Sequence, residues 1–514
     1  MKESPQQIEA KVLLGKNILL SASAGAGKTT VLINRLMKRI VDDKVNVDQI
    51  IAMTFTELAA GEMKKRLSKR LYEAFSLNPD PRLYQQIALL PSSKISTIHS
   101  FCLTLIKDYA YVLGINTKRA NSILDPANAS VYKLQALTRV LDEFYQAQPD
   151  GFIELLNYFK SNPENDENLR STILDLASKL DAKSNPIEWL NNAVLAYQNV
   201  LSINTLDKTY RDAFFEYLDY KVRLLEDAFI SFKRSVLATE DNLERFKLDQ
   251  FSNIIDSAKK AIKAKDYTQY LNNWDKLNEC TYKSMSLKST TTVSDRDIFF
   301  DALNSALSFC FKEERFIKDL NYIAKQVNVL KDMTLSYMKY YEDFKKIKEV
   351  LDFSDMEKMA LTILKNEEFK ISDYFKKTYK EVLIDEFQDT NDVQNEIINL
   401  ISNGTNTFRV GDVKQSIYRF RNAKPQLMLD MMHNPSASDK VLYLSQNYRS
   451  SESIINFNNT LFNRLMNVDQ SQSEYSDKDM VGCGKLENIG GLPVEIHLIR
   501  NGIEVDSTKE DNSN

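Results

Sequence analysis

Glycine is nearly absent from the middle of this sequence. Between Ile115 and Asn403 there is one glycine, Gly151, and between Ile187 and Lys424 there is no proline. A stretch this long without the residues that punctuate turns and break helices calls for long helices rather than many short strands. Helical periodicity with charged outer faces runs through Tyr210 to Thr239 and Phe316 to Leu351, and such Lys/Glu/Asp-rich faces read as solvated surface. Residues 116–350 are therefore expected to form an all-helical block.

The flanks have a different grammar. Asn17–Ala22, Ile50–Phe55, Glu381–Asp385 and Thr407–Val410 are short apolar runs followed by helix-forming sequence, the pattern of a parallel α/β sheet. Val441–Leu444 opens another strand after a break near Pro425 to Pro435. The expected fold class is α/β. One α/β domain (residues 1–115 and 351–430) is interrupted by the helical insertion and followed by the start of a second α/β domain (431–514).

Composition narrows the class further. At 514 residues the chain is too long for one domain. With 43% hydrophobic and 27% charged residues it can build cores, which excludes a disordered or fibrous protein. No apolar run reaches the ~18 residues of a membrane span, and the N-terminus lacks a secretory signal. The expectation is a cytoplasmic protein with no membrane partner. Cys102, Cys280, Cys310 and Cys483 lie far apart without a CxxC, and the histidines are only His99, His433 and His497, so neither a disulfide framework nor a zinc site is expected. A net charge of −4 does not announce a nucleic-acid binder; it leaves room for a basic groove on an acidic protein.

Chemistry concentrates in two places. The first is Ala22-Ser23-Ala24-Gly25-Ala26-Gly27-Lys28-Thr29, which follows the first apolar run and opens a helix at Thr30. Small residues let backbone N–H groups curl around phosphate oxygens, and the helix N-terminus adds the positive end of its dipole. In this P-loop pattern, with Ala22 in place of the first glycine, Lys28 reaches the β/γ-phosphates and Thr29 ligates Mg²⁺. The second is Asp385-Glu386, which ends the apolar Val382–Ile384 run. There Asp385 is expected to hold Mg²⁺ and Glu386 to orient and deprotonate the attacking water of ATP hydrolysis.

Further segments, in order along the chain, fill out the pattern. They are Pro5-Gln6-Gln7-Ile8-Glu9-Ala10, Thr54-Phe55-Thr56-Glu57-Leu58-Ala59-Ala60, Ser96-Thr97-Ile98-His99-Ser100-Phe101, Asp352-Phe353-Ser354-Asp355-Met356, Asp385-Glu386-Phe387-Gln388-Asp389-Thr390, Gly411-Asp412-Val413-Lys414-Gln415-Ser416-Ile417-Tyr418-Arg419-Phe420-Arg421 and Gln446-Asn447-Tyr448-Arg449-Ser450. Together they resemble the UvrD-like superfamily 1 helicases. The Ser21–Gly25, Ile95–Cys102 and Gly411–Arg421 segments look more closely like the AddA (RexA) family of helicase–nuclease subunits. The likeness covers about residues 4–500, and its specificity rests on the ordered set of motifs.

The resemblance implies a RecA-like P-loop domain with the helical block inserted, and the beginning of a second RecA-like domain. It implies an ATP-dependent 3′→5′ DNA helicase that acts on single- and double-stranded DNA in double-strand-break repair and homologous recombination, beside an AddB/RexB-type partner subunit. By the same resemblance Gln7 hydrogen-bonds adenine and Gln415 senses the γ-phosphate. Arg421 and Arg449 are implied to stabilise the transferring phosphoryl group. Phe55, Thr56, His99, Tyr418 and Phe420 are implied to meet DNA, with ring stacking that tolerates any base. From the residues alone Phe55 reads equally as core, His99 as a structural histidine and Tyr418 as packing. Lys64, Lys65, Arg66, Lys69 and Arg70 read as a solvated helix face or as a phosphate track.

The sequence departs from the AddA pattern at its end. Nothing before Asn514 matches motifs V and VI or the nuclease (exonuclease) domain, so an N-terminal part of a longer protein is expected, one that holds nucleotide but turns it over poorly alone. Two other readings stay open: a stand-alone UvrD-type repair helicase, and a nucleotide-gated DNA-binding scaffold without motor activity.

Overall fold

Six apolar segments pair into one sheet: β1 (Asn17–Ala22), β2 (Ile50–Thr54), β3 (Lys94–Thr97), β4 (Glu381–Ile384), β5 (Thr407–Gly411) and β6 (Asp439–Leu444). The structure is a computed structural model and describes residues 3–159, 166–198, 200–238, 248–275, 290–466, 475, 481–483 and 494–497. Cys280, Thr239 and the residues from 498 onward lie outside this set. The strand order is β3-β2-β4-β5-β1-β6, and every neighbouring pair is parallel. β2, β4 and β5 are buried along their whole length. That is why they read as unbroken apolar runs: helices cover both faces of a parallel sheet.

Two strands differ from the sequence expectation. β3 does not read as a strand in the sequence. It sits at the sheet edge, and only Ile95 and Thr97 of its four residues are buried, so it lacks the apolar run that marks its neighbours. β6, expected to open a second domain, instead pairs with β1 from Asn17↔Asp439 to Ala22↔Leu444. The segment between Pro425 and Pro435 is not a linker but the helix Gln426–His433, a crossover between β5 and β6.

The chain divides into two compact units, residues 1–121 with 353–514 and residues 122–352. Among the described residues of the second, regular structure is helical apart from a single Ile123–Leu351 bridge. Its helices close around two apolar cores, one centred on Phe232 and Phe299, the other on Leu137, Phe152 and Met333. The core of the first unit packs Ile18, Leu20, Phe408 and Val410 of the sheet against Leu32, Leu36, Met63 and Leu67 of the helices Lys28–Met37 and Glu57–Leu77. Among the described residues no helix is long and apolar enough to cross a membrane.

A buried ion pair fixes the helix after the glycine loop to the strand before the acid pair. Arg35 and Glu381 are both 2% exposed, with Nε donating to Oε1 at 2.7 Å. Arg35 Nη1 also donates to the carbonyls of Ala10 and Leu13 at 2.7 and 3.0 Å, which holds the C-terminal end of helix Pro5–Val12. Glu381 Oε2 also lies 2.9 Å from Arg39 Nε, so removing Glu381 would leave buried Arg35 with only carbonyl partners, and the relative placement of these three elements is strongly specified.

Candidate functional site

Most motif segments read from the sequence follow strand C-termini; the exceptions are Gln7, on the helix preceding β1, and Asp352–Met356, at the start of helix Phe353–Lys365. Ala22 ends β1 and Ser23–Gly27 follows it, Phe55 and Thr56 follow β2, His99 follows β3, Asp385 and Glu386 follow β4, Asp412–Gln415 follows β5, and Asn447–Arg449 follows β6. In open α/β sheets this edge is where ligands bind.

The loop is built for close approach. Gly25 and Gly27 have φ of +73° and +84°, the left-handed region that side chains disfavour. Gly27 caps helix Lys28–Met37 without a side-chain partner, so helix structure starts at Lys28, two residues before the Thr30 read from sequence. A Cβ on Gly25 would stand 2.7 Å from Asn447 Oδ1 and 2.9 Å from Arg449 Cβ. The segment after β6 thus clamps the loop: Asn447 Nδ2 donates to the Ala24 carbonyl at 2.9 Å and Tyr448 N to the Gly25 carbonyl at 3.0 Å. Thr29 is half-buried in the first turn, and Ala24 and Thr30 are exposed, while Ser23 and Ala26 are buried.

Lys28 and the acid pair meet. Lys28 Nζ donates to Glu386 Oε2 at 3.0 Å, across 358 positions of sequence, and to Gln415 Oε1 at 3.2 Å. Gln415 Nε2 in turn donates to Asp412 at 2.7 Å, and Gln388 Nε2 to Glu386 Oε2 at 2.9 Å. Glu386 has φ +52°, an uncommon backbone state for a non-glycine residue that clusters at functional sites. Burial and the neighbouring Glu386 push the Asp385 carboxyl up to about 6, against the pull of Lys28. Burial likewise raises Asp389 to about 6, with Glu386 adding to it and the Ser416 hydrogen bond opposing. The acids crowd one another and favour a cation. Among the described residues no three His, Cys, Asp or Glu side chains converge on a metal position. A magnesium ion needs only one or two carboxylates besides phosphate oxygens and water, and buried Asp385, whose ionisation a cation would favour, meets that requirement.

Gln7 lies against the loop but is engaged at both ends. Its Nε2 donates to the Ala26 carbonyl at 3.2 Å, and its Oε1 accepts from Ser4 N at 3.0 Å in a capping box. A cleft of ≈800 Å³ opens here, lined by Gln7, Gly27, Thr30 and Tyr448. Tyr448 was missed by sequence reasoning, which singled out the adjacent Arg449; its signal was an aromatic inside the same motif. Arg449 is exposed beside Gly25.

A second surface gathers rings. Phe55 stacks on Tyr418 at 4.5 Å between centroids, and Tyr418 lies 5.7 Å from Phe420. Phe55 is thus half-buried against a ring rather than in the core. Phe420 is 76% exposed. Thr56 is exposed and caps helix Glu57–Leu77. Arg421 sits among the rings, 5.8, 5.3 and 5.7 Å from the centroids of Phe55, Tyr418 and Phe420. Such contacts are cation–π interactions; the turn Arg419–Arg421 aims the guanidinium in a direction that sequence cannot specify. The basic helix face is largely self-paired: Arg66 with Glu62, and Lys69 and Arg70 with Glu73.

His99 is held by a buried acid. Its Nε2 lies 3.1 Å from Glu357 Oε1, and Asn391 and Gln394 donate to the same carboxylate at 3.0 and 2.6 Å. Burial opposes ionisation of Glu357, yet these donors, His99 first, hold its pKa below the usual value. A lowered carboxylate contributes stability above its unfolded pKa that is lost as pH falls. His99→Ala is therefore expected to weaken local stability by about 1–3 kcal/mol at neutral pH and by less near pH 3. Hydrogen exchange in helix Phe353–Lys365 measures it; equal losses at both pH values would assign the effect to packing alone.

A parallel sheet whose glycine loop, lysine and paired acids converge at one edge defines the RecA-like P-loop class. Residues 3–245 and 232–436 match the model of the UvrD/REP helicase N-terminal domain, and the chain belongs to that family. It is similar to proteins named as ATP-dependent helicase/nuclease subunits. The relative from Clostridium botulinum is 30% identical, over 97% of this chain and 42% of the relative. That from Staphylococcus epidermidis is 31% identical, over 98% and 42%, and that from Carboxydothermus hydrogenoformans 32%, over 98% and 43%. The chain thus spans about two fifths of the length of these curated relatives.

Proposed function

We propose that this chain is the ATP-binding motor portion of an AddA-type helicase–nuclease, acting 3′→5′ on DNA with an AddB/RexB-type partner in double-strand-break repair. The observation that carries the reading is the 3.0 Å contact between Lys28 and Glu386 beside the glycine loop. The loop from Ala22 to Thr30 cradles the triphosphate, Lys28 neutralises its β/γ oxygens, and Tyr448 offers a ring face to the base. Asp385 and Thr29 hold Mg²⁺, which supplies charge neutralisation for the phosphoryl group. Glu386 orients water and accepts its proton. Gln415 bonds both Lys28 and Asp412, so it reads whether Lys28 is occupied by phosphate, while exposed Arg449 reaches the same group from the clamp segment.

In this reading Phe55, Thr56, His99, Tyr418, Phe420 and Arg421 form the single-stranded DNA surface. Phe420, the most exposed ring, is the stacking platform. Phe420→Ala is expected to weaken oligo-dT binding by about 1–3 kcal/mol, roughly 5- to 150-fold in Kd. Fluorescence anisotropy with a labelled oligonucleotide reads it, and an unchanged Kd removes Phe420 from the DNA path. The reading as a whole is tested by nucleotide-coupled DNA binding: a non-hydrolysable ATP analogue should change the oligonucleotide Kd of the chain, and the change should vanish in Lys28→Ala. Equal DNA affinity with and without the analogue refutes the motor.

A further inference from the structure

Strand β5 places a charge where the sequence pattern calls for core. Phe408 and Val410 face the main apolar core, and Arg409, between them, points to the other face of the sheet. It is 6% exposed. Nη1 donates to Thr407 Oγ1 at 2.7 Å and touches Met431 Sδ at 4.0 Å, and Nη2 donates to Asn399 Oδ1 at 2.9 Å. Nε has no partner among the described residues. The guanidinium lies 5.3 Å from the Phe387 ring centre.

No carboxylate reaches Arg409 within ion-pair distance among the described residues; Asp439 acts on it only from farther away. Asp439 is otherwise occupied, accepting from Asn17 Nδ2 at 3.1 Å and from Ser436 N at 2.9 Å. Buried cations are normally paired. This one rests on neutral acceptors, and burial pulls its pKa down to about 10. It nonetheless stays charged at neutral pH.

Beside it a groove of ≈620 Å³ opens, lined by Arg409, Lys376, Asn395, Asn399, Ser438 and Asp439 among others. Asn17, Gly404, Ser438 and Asp439 stand at the N-terminal ends of β1, β5 and β6, so the groove lies at the sheet edge opposite the glycine loop. Its lining carries two cationic groups, Arg409 and Lys376, and one anionic group, Asp439; asparagines and serines make up most of the rest, with Phe387, Leu427 and Met431 as the apolar part.

We propose that this groove binds a small oxyanion of the carboxylate or phosphate class, which supplies the counter-charge that Arg409 lacks. A guanidinium suits such a ligand because its planar fork meets two oxygens at once. Asparagine amides and serine hydroxyls complete the shell. The site is independent of the nucleotide reading.

The test uses the full chain carrying Lys28→Ala, so that the glycine loop contributes least to phosphate binding. Thermal unfolding is followed against inorganic phosphate and, separately, acetate. A ligand that binds only the folded state raises Tm in a saturating, concentration-dependent way. The expected result is saturation by at least one of the two, the stronger naming the class. Arg409→Met should abolish the saturating part and leave only the linear rise common to excluded salts. Asp439→Asn, which removes the opposing charge, should lower the half-saturating concentration about threefold or more, and Asn395→Asp should raise it by a similar factor. The latter two keep the test decisive if Arg409→Met does not fold. Saturation by neither anion, saturation unaltered in Arg409→Met, or half-saturation unmoved by both charge changes overturns the proposal.

Discussion

Replacing Glu386 by glutamine is expected to slow phosphate release from ATP by about 10²- to 10⁴-fold while nucleotide binds at least as tightly as before. The rate follows from loss of the general base: an amide accepts no proton. The binding result follows from the ground state. Glu386 now holds Lys28 at 3.0 Å, and incoming phosphate must displace it. The Glu386 side chain is 36% exposed, so solvent screens the pair and its loss is worth about 0–1 kcal/mol, or up to roughly fivefold in Kd. Glutamine can still accept from Gln388 and keeps the side-chain shape, so the +52° backbone state of residue 386 is not additionally burdened. Single-turnover phosphate release with excess protein measures the rate, and a fluorescent nucleotide measures the affinity. A slow variant that also lost affinity would make Glu386 a structural support rather than a base.

How far these features could be read from sequence depends on whether the chemistry acts within one segment or between segments. The glycine loop was legible because its small residues, apolar strand and helix are contiguous. Asp385-Glu386 was legible because an acid pair ending a buried strand has few other uses. The helical block was legible from the lack of glycine and proline. What was not legible depended on neighbours in space. β3 alternates because it is an edge strand, and alternation over four residues is a weak signal. β6 follows two prolines that looked like a boundary but flank a crossover helix. Arg421 turned toward Phe55, Tyr418 and Phe420, and its direction is set by a single turn. The Gln7 contact with the Ala26 carbonyl and the clamp by Asn447 involve partners 19 and 423 positions away. No local pattern encodes such pairs. Arg409 is the sharpest case: it lies inside a run read as an apolar strand, and only the fold shows that it is buried with no carboxylate in ion-pair reach among the described residues.

Lys28→Ala should have the largest effect on binding, and it acts through two terms of the same sign. The first is the direct loss of a charge-assisted contact to the β/γ-phosphates. Truncating one partner of a hydrogen-bonded charge pair in a largely desolvated site costs about 2–5 kcal/mol, at least roughly 30-fold in nucleotide Kd. The second is electrostatic. Lys28 is the cation that opposes the raised pKa of both Asp385 and Asp389. Without it the acids face the triphosphate with no lysine between them, and Asp385 should rise further above 6. Because Asp385 must be ionised to hold Mg²⁺, the residual Mg²⁺–nucleotide affinity of Lys28→Ala should fall off at a higher pH than that of the parent chain. Titrating a fluorescent nucleotide with Mg²⁺ between about pH 5.5 and 8 separates the terms: a uniform loss at every pH reports the phosphate contact alone, and a loss that deepens toward low pH reports the acid cluster. Parent-like affinity across the range would remove Lys28 from the triphosphate site and with it the motor reading.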